Sequence, residues 1–508
     1  MKEILALLSE LMQKDGSATV FRSLHQLPQP PSDFTGREEL IEQLLSDFNS
    51  HKGATISGLT GMGGIGKTAL GLKVAHKVAD GYRDAQISFD LKGTTQPLST
   101  MEIARHVILS LQPTADLRAL DESNHQAAYQ SVLHGKRVLL FFDNVCSANQ
   151  LAPLHPPESC AMLVTSRWTF SVPGLQNRRA DVMNEDEAEE FLLDLCPRIG
   201  EKAPELAINC GFLPLALRIG GSFLQVNNDW PVESYIDKLT DRKKRLETLK
   251  QSHQDAELPE TEPELLATFE LSYKGLSDED QKRWRALGVF PASFASTASG
   301  AMWETEDNET SKLLGLLRRY SLIEYDETSS RYRLHDLLTD YALGQMESGE
   351  EQEARFMHAS HYKDVLSAAD DFYLEGGDNI LLGLKLFDLE WENIRTGQAW
   401  ASQSDVGEKI ISQLLAQYPD AGVYILSLRQ HPREKIEWLE TSLQASREIG
   451  DRRGEGNALG NLGNALYNMG QQEKGIGMVK QALEIFEAIE SPNAQWARNK
   501  LKEWGVEE

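Results

Sequence analysis

Residues 61–68 read GMGGIGKT, an octet whose residue types suit the gripping of phosphate. Gly61, Gly66, Lys67 and Thr68 satisfy the spacing G-x-x-x-x-G-K-[ST]. Glycine lets successive backbone N–H groups turn inward and approach phosphate oxygens closely. Gly63, Gly64 and Ile65 make up the interior of this loop, and Ala69 carries it into a helix. Lys67 supplies positive charge for the β and γ phosphates, and the Thr68 hydroxyl is placed for Mg²⁺. The helix that begins here adds its N-terminal partial charge.

Such a loop needs a second acid at the end of an apolar strand, to hold the hydration shell of the metal. RVLLFFDNV, residues 137–145, supplies Asp143. Its neighbour Asn144 carries an amide, which orients water but cannot accept its proton. Slow hydrolysis is therefore expected, and a switch in preference to a high-turnover engine. LVTSR ends another apolar run with Arg167, whose position beside the crevice suits contact with a γ phosphate.

A parallel sheet is what would align these groups. From about residue 53 to 170, short apolar runs (ATISGL, AQISFDL, RVLLFFDNV, CAMLVTSR) alternate with helical stretches. That alternation predicts an α/β domain with helices on both faces of the sheet. Its expected limits are 28–182, and 1–27 is expected to be a short amphipathic helix. A helical domain is expected over 183–255, with PELAINCGFLPLALRIGGSFLQ read as continuously helical. Three helices and a hairpin over 260–346 predict a winged helix. Residues 350–430 read as a helical linker or sensor. In 431–508, IEWLETSLQASREIG and IGMVKQALEIFEAIE match at an offset of 40, the mark of tetratricopeptide-like repeats. Gly475 stands where that repeat prefers alanine.

The chain has 508 residues, 41% hydrophobic and 25% charged, the balance of a soluble protein of several domains. A net charge of -26 argues against a nucleic-acid surface over the whole molecule. The four cysteines have no CxxC spacing and read as small core residues in a reducing compartment. Glu3 and Glu10 interrupt the apolar start, and no run reaches the ~20 residues of a bilayer span. A cytoplasmic location without membrane contact is expected.

Taken in order, these motifs resemble the NB-ARC group of STAND nucleotide switches, over roughly residues 28 to 345. DFTGRE is similar to the first motif of that group, which implies that Phe34, Thr35 and Arg37 lie against adenine. GFLPLAL resembles its GLPL motif, with Pro214 near the adenine. YRLHD resembles its MHD motif, with His335 approaching the β phosphate of ADP. Leu334 replaces the methionine of that motif at similar volume. The resemblance implies ADP and ATP as ligands with Mg²⁺, an ADP-closed and an ATP-open form, and self-association of the open form. It implies a protein ligand or effector on the C-terminal repeats, and a role in bacterial defence or regulation. Two alternatives stay open: a transcriptional regulator acting through the winged helix, and a scaffold whose nucleotide is structural.

Overall fold

The computed structural model describes residues 24–50, 55–93, 97–113, 115, 117, 120–252, 262–404 and 409–506. Its centre is a six-stranded sheet: β1 (Leu24–His25), β2 (Thr55–Thr60), β3 (Ala85–Asp90), β4 (Val138–Asp143), β5 (Ala161–Ser166) and β6 (Leu175–Arg179). The order is β1-β3-β4-β5-β2-β6 and every pairing is parallel. β4 and β5 are buried along their whole length, as continuous apolar runs require. Period-two alternation then splits β4 between two cores. Leu139 and Phe141 face α1 (Glu38–Ser50) and α2 (Lys67–Val78) through Leu44, Leu70 and Val74. Leu140 and Phe142 face α3 (Thr100–Leu111) and α4 (His125–Leu133) through Val107 and Tyr129. A short helix, α5 (Ala148–Leu151), follows β4.

Two strands were not expected. β6 is LQNRR, with no apolar alternation to mark it, and it sits at an edge where polar side chains meet solvent. β1 falls inside the stretch 1–27 assigned to a helix; Leu24 and His25 pair with Ala85 and Gln86. The rest of that helical expectation lies outside the described residues.

Helices follow the sheet: α6 (Glu185–Leu195), α7 (Ala203–Asn209), α8 (Pro214–Val226) and α9 (Val232–Ser252). The segment read as one continuous helix from 204 is broken. Gly211 (φ 61°) and Phe212 (φ 54°) adopt left-handed backbone between α7 and α8. Pro214 then opens α8 at its first turn, where its missing N–H costs nothing.

Next come α10 (Pro263–Lys274), α11 (Asp278–Ala286), α12 (Ser296–Trp303), α13 (Asp307–Arg319), the antiparallel hairpin of β7 (Glu324–Asp326) and β8 (Arg331–Arg333), and α14 (Asp336–Gly344). Helices α12 and α14 exceed the three expected over 260–346; α12 is the less legible. Its buried Ala298, Ser299, Met302 and Trp303 share one helix face, but STASGAMW has no polar face to contrast with it, so periodicity misses it. Phe294 bridges Tyr332 and adds a third, minimal strand to the hairpin.

The remaining helices are α15 (Ser348–Glu375), α16 (Asn379–Gln403), α17 (Lys409–Gln417), α18 (Val423–Arg429), α19 (Pro432–Ile449), α20 (Arg452–Asn468), α21 (Gln472–Ala488) and α22 (Asn493–Glu503). α19 with α20, and α21 with α22, are the two helix pairs behind the offset of 40. A Cβ on Gly475 would lie 2.6 Å from the Gly463 carbonyl oxygen, and one on Gly463 would lie 2.7 Å from that of Gly475. The backbones of α20 and α21 touch there, which is why alanine is absent at Gly475.

One apolar core runs unbroken from Met183 to Trp438. Helices α6 to α19 thus contribute to one continuous body. Among the described residues no helix is long and apolar enough to cross a membrane.

Candidate functional site

The phosphate loop joins β2 to α2. Gly66 caps α2 in left-handed backbone (φ 85°), a conformation that favours glycine. Lys67 Nζ donates to the carbonyl oxygens of Gly61 (2.8 Å) and Met62 (2.7 Å), folding back along the loop. Enclosure pushes the Lys67 ammonium down to about 8; Asp143 opposes this, and Arg167 and Arg37 add to it.

Asp143, at the end of β4, meets Thr68 at the start of α2. The Thr68 hydroxyl lies 2.9 and 3.0 Å from the two Asp143 carboxylate oxygens. The Thr165 hydroxyl of β5 also donates to Asp143. Burial raises the Asp143 carboxyl to about 6, helped by Asp90 and opposed by Thr165, Arg333 and Thr68.

Segments far along the chain roof the loop. A Cβ on Gly63 would stand 3.1 Å from Leu337 Cδ1, at the start of α14. One on Gly64 would stand 2.9 Å from Leu265 Cδ1 of α10. The Leu215 N–H, at the head of α8, donates to the Gly64 carbonyl oxygen (3.3 Å). Ile65 points the other way, into the sheet core.

Arg37 and Pro214 meet over Gly66: a Cβ there would lie 3.7 Å from Arg37 Nη1 and 3.8 Å from Pro214 Cγ. The Arg37 N–H donates to Glu187 (2.7 Å) and its Nη2 to the Asp181 carbonyl oxygen (2.9 Å). Its Nη1 is buried with no hydrogen-bond partner. Phe34 packs at the rim of the α1–α2 core with Lys73 Nζ 5.7 Å from its ring, and Thr35 and Ala69 line the same cleft.

His335 caps α14 by accepting the Leu337 N–H on Nδ1 (3.2 Å). Enclosure lowers its pKa against the pull of Glu324 and Asp336, which favours the neutral ring. The Asn144 amide donates to Asp336 (2.9 Å), joining the end of β4 to the start of α14. Arg167 lines the cleft within electrostatic reach of Lys67 and His335.

The residues picked out from the sequence therefore border one cleft, except Ile65, which backs it, and Gly61, which lies outside the lining and offers its carbonyl to Lys67. The cleft holds about 3240 Å³ and reaches α16 and α19. A drug-sized ligand takes ~300–1,000 Å³, so a nucleotide would fill only part of it.

Four participants escaped the sequence reading: Asp90, Thr165, Glu324 and Arg333. Asp90 ends β3 in direct register with Asp143. The signal was present, since AQISFD also closes an apolar run with an aspartate. Arg333 comes from the hairpin, and its Nη1 stands 4.0 Å from Asp90. Nothing in the local sequence points it at β3.

The residues fit a bound nucleotide with a hard cation. The orphaned Arg37 Nη1 beside Gly66 offers a buried donor, and the left-handed backbone of Gly66 is a conformation that larger residues rarely adopt. The Thr68 and Asp143 oxygens are the donor set that Mg²⁺ prefers.

Residues 37–192 match the NB-ARC domain. The chain belongs to the NB-ARC family. This NB-ARC chain is 34% identical over 360 residues to the regulatory protein AfsR of Streptomyces griseus, covering 69% of this chain and 35% of that protein. AfsR of Streptomyces coelicolor is also 34% identical, over 368 residues and with the same coverage of each chain. The chain thus spans about a third of the length of these relatives. The disease resistance RPP8-like protein 3 of Arabidopsis thaliana is 25% identical over 210 residues, 38% of this chain and 23% of that one. A solved STAND protein with a tetratricopeptide repeat sensor, from Pyrococcus horikoshii, aligns over 94% of this chain and 82% of its own at 13% identity and a TM-score of 0.47.

Proposed function

We propose that this NB-ARC chain is a nucleotide-operated signalling switch with slow ATP hydrolysis, compact with ADP and open and self-associating with ATP. The observation that carries the reading is the roof of the phosphate loop. Leu215, Leu265 and Leu337, from three separate helices, rest on Gly63 and Gly64. A loop so covered senses its ligand through the packing of whole domains. A ligand moves such an equilibrium only by its difference in affinity for the two forms.

In this reading Lys67 and the loop N–H groups hold the β phosphate, and the head of α8 and Arg37 close over the nucleoside side. Thr68 and Asp143 would hold Mg²⁺, which offsets phosphate charge. His335, held neutral by its enclosure, donates or accepts a hydrogen bond without adding charge. Arg167 answers to a third phosphate.

Asn144 has a second role beyond tempering hydrolysis. Its amide is bonded to Asp336, and a carboxylate there would face like charge. The amide thus favours the compact form. Regulation or defence, and a protein ligand on the C-terminal helices, complete the proposal. A DNA-binding role finds less support: Arg318, one of the two adjacent arginines of α13, is paired with Glu327 at 3.2 Å.

Freshly purified protein is expected to carry ADP, identified by chromatography of the denatured supernatant. Finding no purine nucleotide there, and no calorimetric binding of ADP or ATP, would overturn the reading.

A further inference from the structure

The C-terminal edge of the sheet gathers four carboxylates, of which Asp143 and Asp336 also face Lys67. Asp90 and Asp143 end adjacent strands in register. Glu324 of β7 and Asp336 of α14 face the same space, since both act on the Arg333 guanidinium. Lys92 serves Asp90 at 3.4 Å and is also tied to the Pro291 carbonyl oxygen. The cation common to all four acids is Arg333, at 3.3 Å from Glu324 and 4.0 Å from Asp90. Desolvation works to lower its pKa, and the four acids together outweigh that and raise it. It stands in the cleft with its side chain about a third exposed (34%), within reach of water.

Resting on the nucleotide reading above, we infer that Arg333 stands in for a divalent cation. It neutralises Asp90 and Asp143 from the hairpin, so docking of the hairpin and binding of Mg²⁺ at Thr68 and Asp143 oppose each other. Two positive groups compete for one pair of carboxylates whose mutual repulsion only one of them needs to relieve. Linkage makes the effect reciprocal: whatever Arg333 costs the metal, the metal costs hairpin docking. The hairpin reports this to the rest of the molecule. Two residues before Arg333, Arg331 donates to Glu390 of α16 at 2.6 and 2.9 Å. Filling the metal site therefore releases a strand that is bonded to the C-terminal helices.

The test titrates MgCl₂ by calorimetry into the ADP-loaded full chain, wild type and Arg333→Gln. The variant is expected to bind Mg²⁺ at least tenfold more tightly, with both proteins first saturated with ADP as judged by titration in EDTA. Arg333→Lys, which keeps the charge, is expected to restore the weaker wild-type value. In the ADP-loaded wild type, Mg²⁺ is expected to speed amide exchange over residues 331–344. Unchanged or weaker Mg²⁺ binding by ADP-saturated Arg333→Gln would overturn this inference alone. Failure of the wild type to bind ADP in either buffer would overturn the nucleotide reading and the inference with it. A stability loss without a change in Mg²⁺ affinity would mark Arg333 as merely structural and count against it.

Discussion

Helix α16 makes two arginine–glutamate joints little more than a turn apart, and they differ in almost everything but chemistry. Glu390 meets Arg331 of the hairpin at 2.6 Å, and the two residues are 4% and 6% exposed. Ser293 accepts from Nε and Nη2 of Arg331, and Asn393 donates to Glu390 at 3.1 Å. Arg395 instead pairs with Glu102 of α3 and with Glu434 of α19, its own side chain 40% exposed. The first joint binds the C-terminal helices to the hairpin; the second rests them on the nucleotide domain. A nearby contact across the second boundary, Arg429 to the Pro113 carbonyl oxygen, is one hydrogen bond from a side chain already paired with Asp388. The comparison teaches which pieces travel together. The C-terminal helices are fastened to the hairpin and only leaned against the sheet domain.

The largest effect is expected at the buried joint. Glu390→Ala leaves the Arg331 guanidinium buried and unpaired, at a cost of about 3–5 kcal/mol. Thermal unfolding of the variant should show a single large drop in Tm. The double variant Arg331→Met with Glu390→Leu should recover most of it, because an apolar pair of similar volume removes both charges. A double variant no more stable than Glu390→Ala would deny that burial of the charges is what makes this joint strong.

Between the two extremes lies the Asn144–Asp336 contact, which docks α14 against β4. Asn144→Asp replaces a hydrogen bond to a carboxylate with like-charge repulsion, a change of about 2 kcal/mol. That shifts a two-state equilibrium by about thirtyfold. Limited proteolysis of the ADP-loaded chain is expected to be correspondingly faster in the variant. Equal cleavage rates would mean that α14 is held by apolar packing alone.

The roof over the phosphate loop gives a pH signature of the same docking. Lys67 is held down to about 8 chiefly by enclosure. A phosphate favours the charged ammonium, so binding above that pH must take up a proton. ADP affinity measured in EDTA should hold between pH 6.5 and 7.5 and then fall, by up to tenfold per unit, above about 8. Calorimetry in buffers of different ionisation heat would count the proton. In Asn144→Asp, with the roof loosened, the break should move up toward the ordinary lysine range. An affinity flat to pH 9.5 in the wild type would show that Lys67 is not desolvated by the roof.

How far these joints were legible in advance depends on how local their signals are. GMGGIGKT, LLFFDN and LVTSR each state a motif within a few residues, and the apolar runs around them announce the parallel strands. The GFLP break between α7 and α8 did not show, because its flanks keep a helical period while Gly211 and Phe212 take left-handed backbone. β6 did not show because an edge strand of polar residues has no alternation to read. Arg331 and Arg333 look alike in RYRLHD, yet one is sealed against Glu390 and the other stands in the cleft facing Asp90. That difference belongs to partners 59 and 243 positions away, and no local period encodes it.

The smallest effect is expected at the leaning joint. Arg395→Ala removes ion pairs to Glu102 and Glu434, whose side chains are 28% and 22% exposed. Pairs in reach of water contribute ~0.2–1 kcal/mol and are screened by salt. The variant should therefore unfold within about 1 kcal/mol of the wild type, and less apart from it in 0.5 M than in 0.05 M salt. A small stability change with a large change in domain separation is what a releasable contact must show. Small-angle scattering in the two salts should find the wild type opening as salt rises and Arg395→Ala already partly open. If Arg395→Ala instead costs as much as Glu390→Ala, both joints are structural, and the C-terminal helices cannot part from the sheet domain without unfolding.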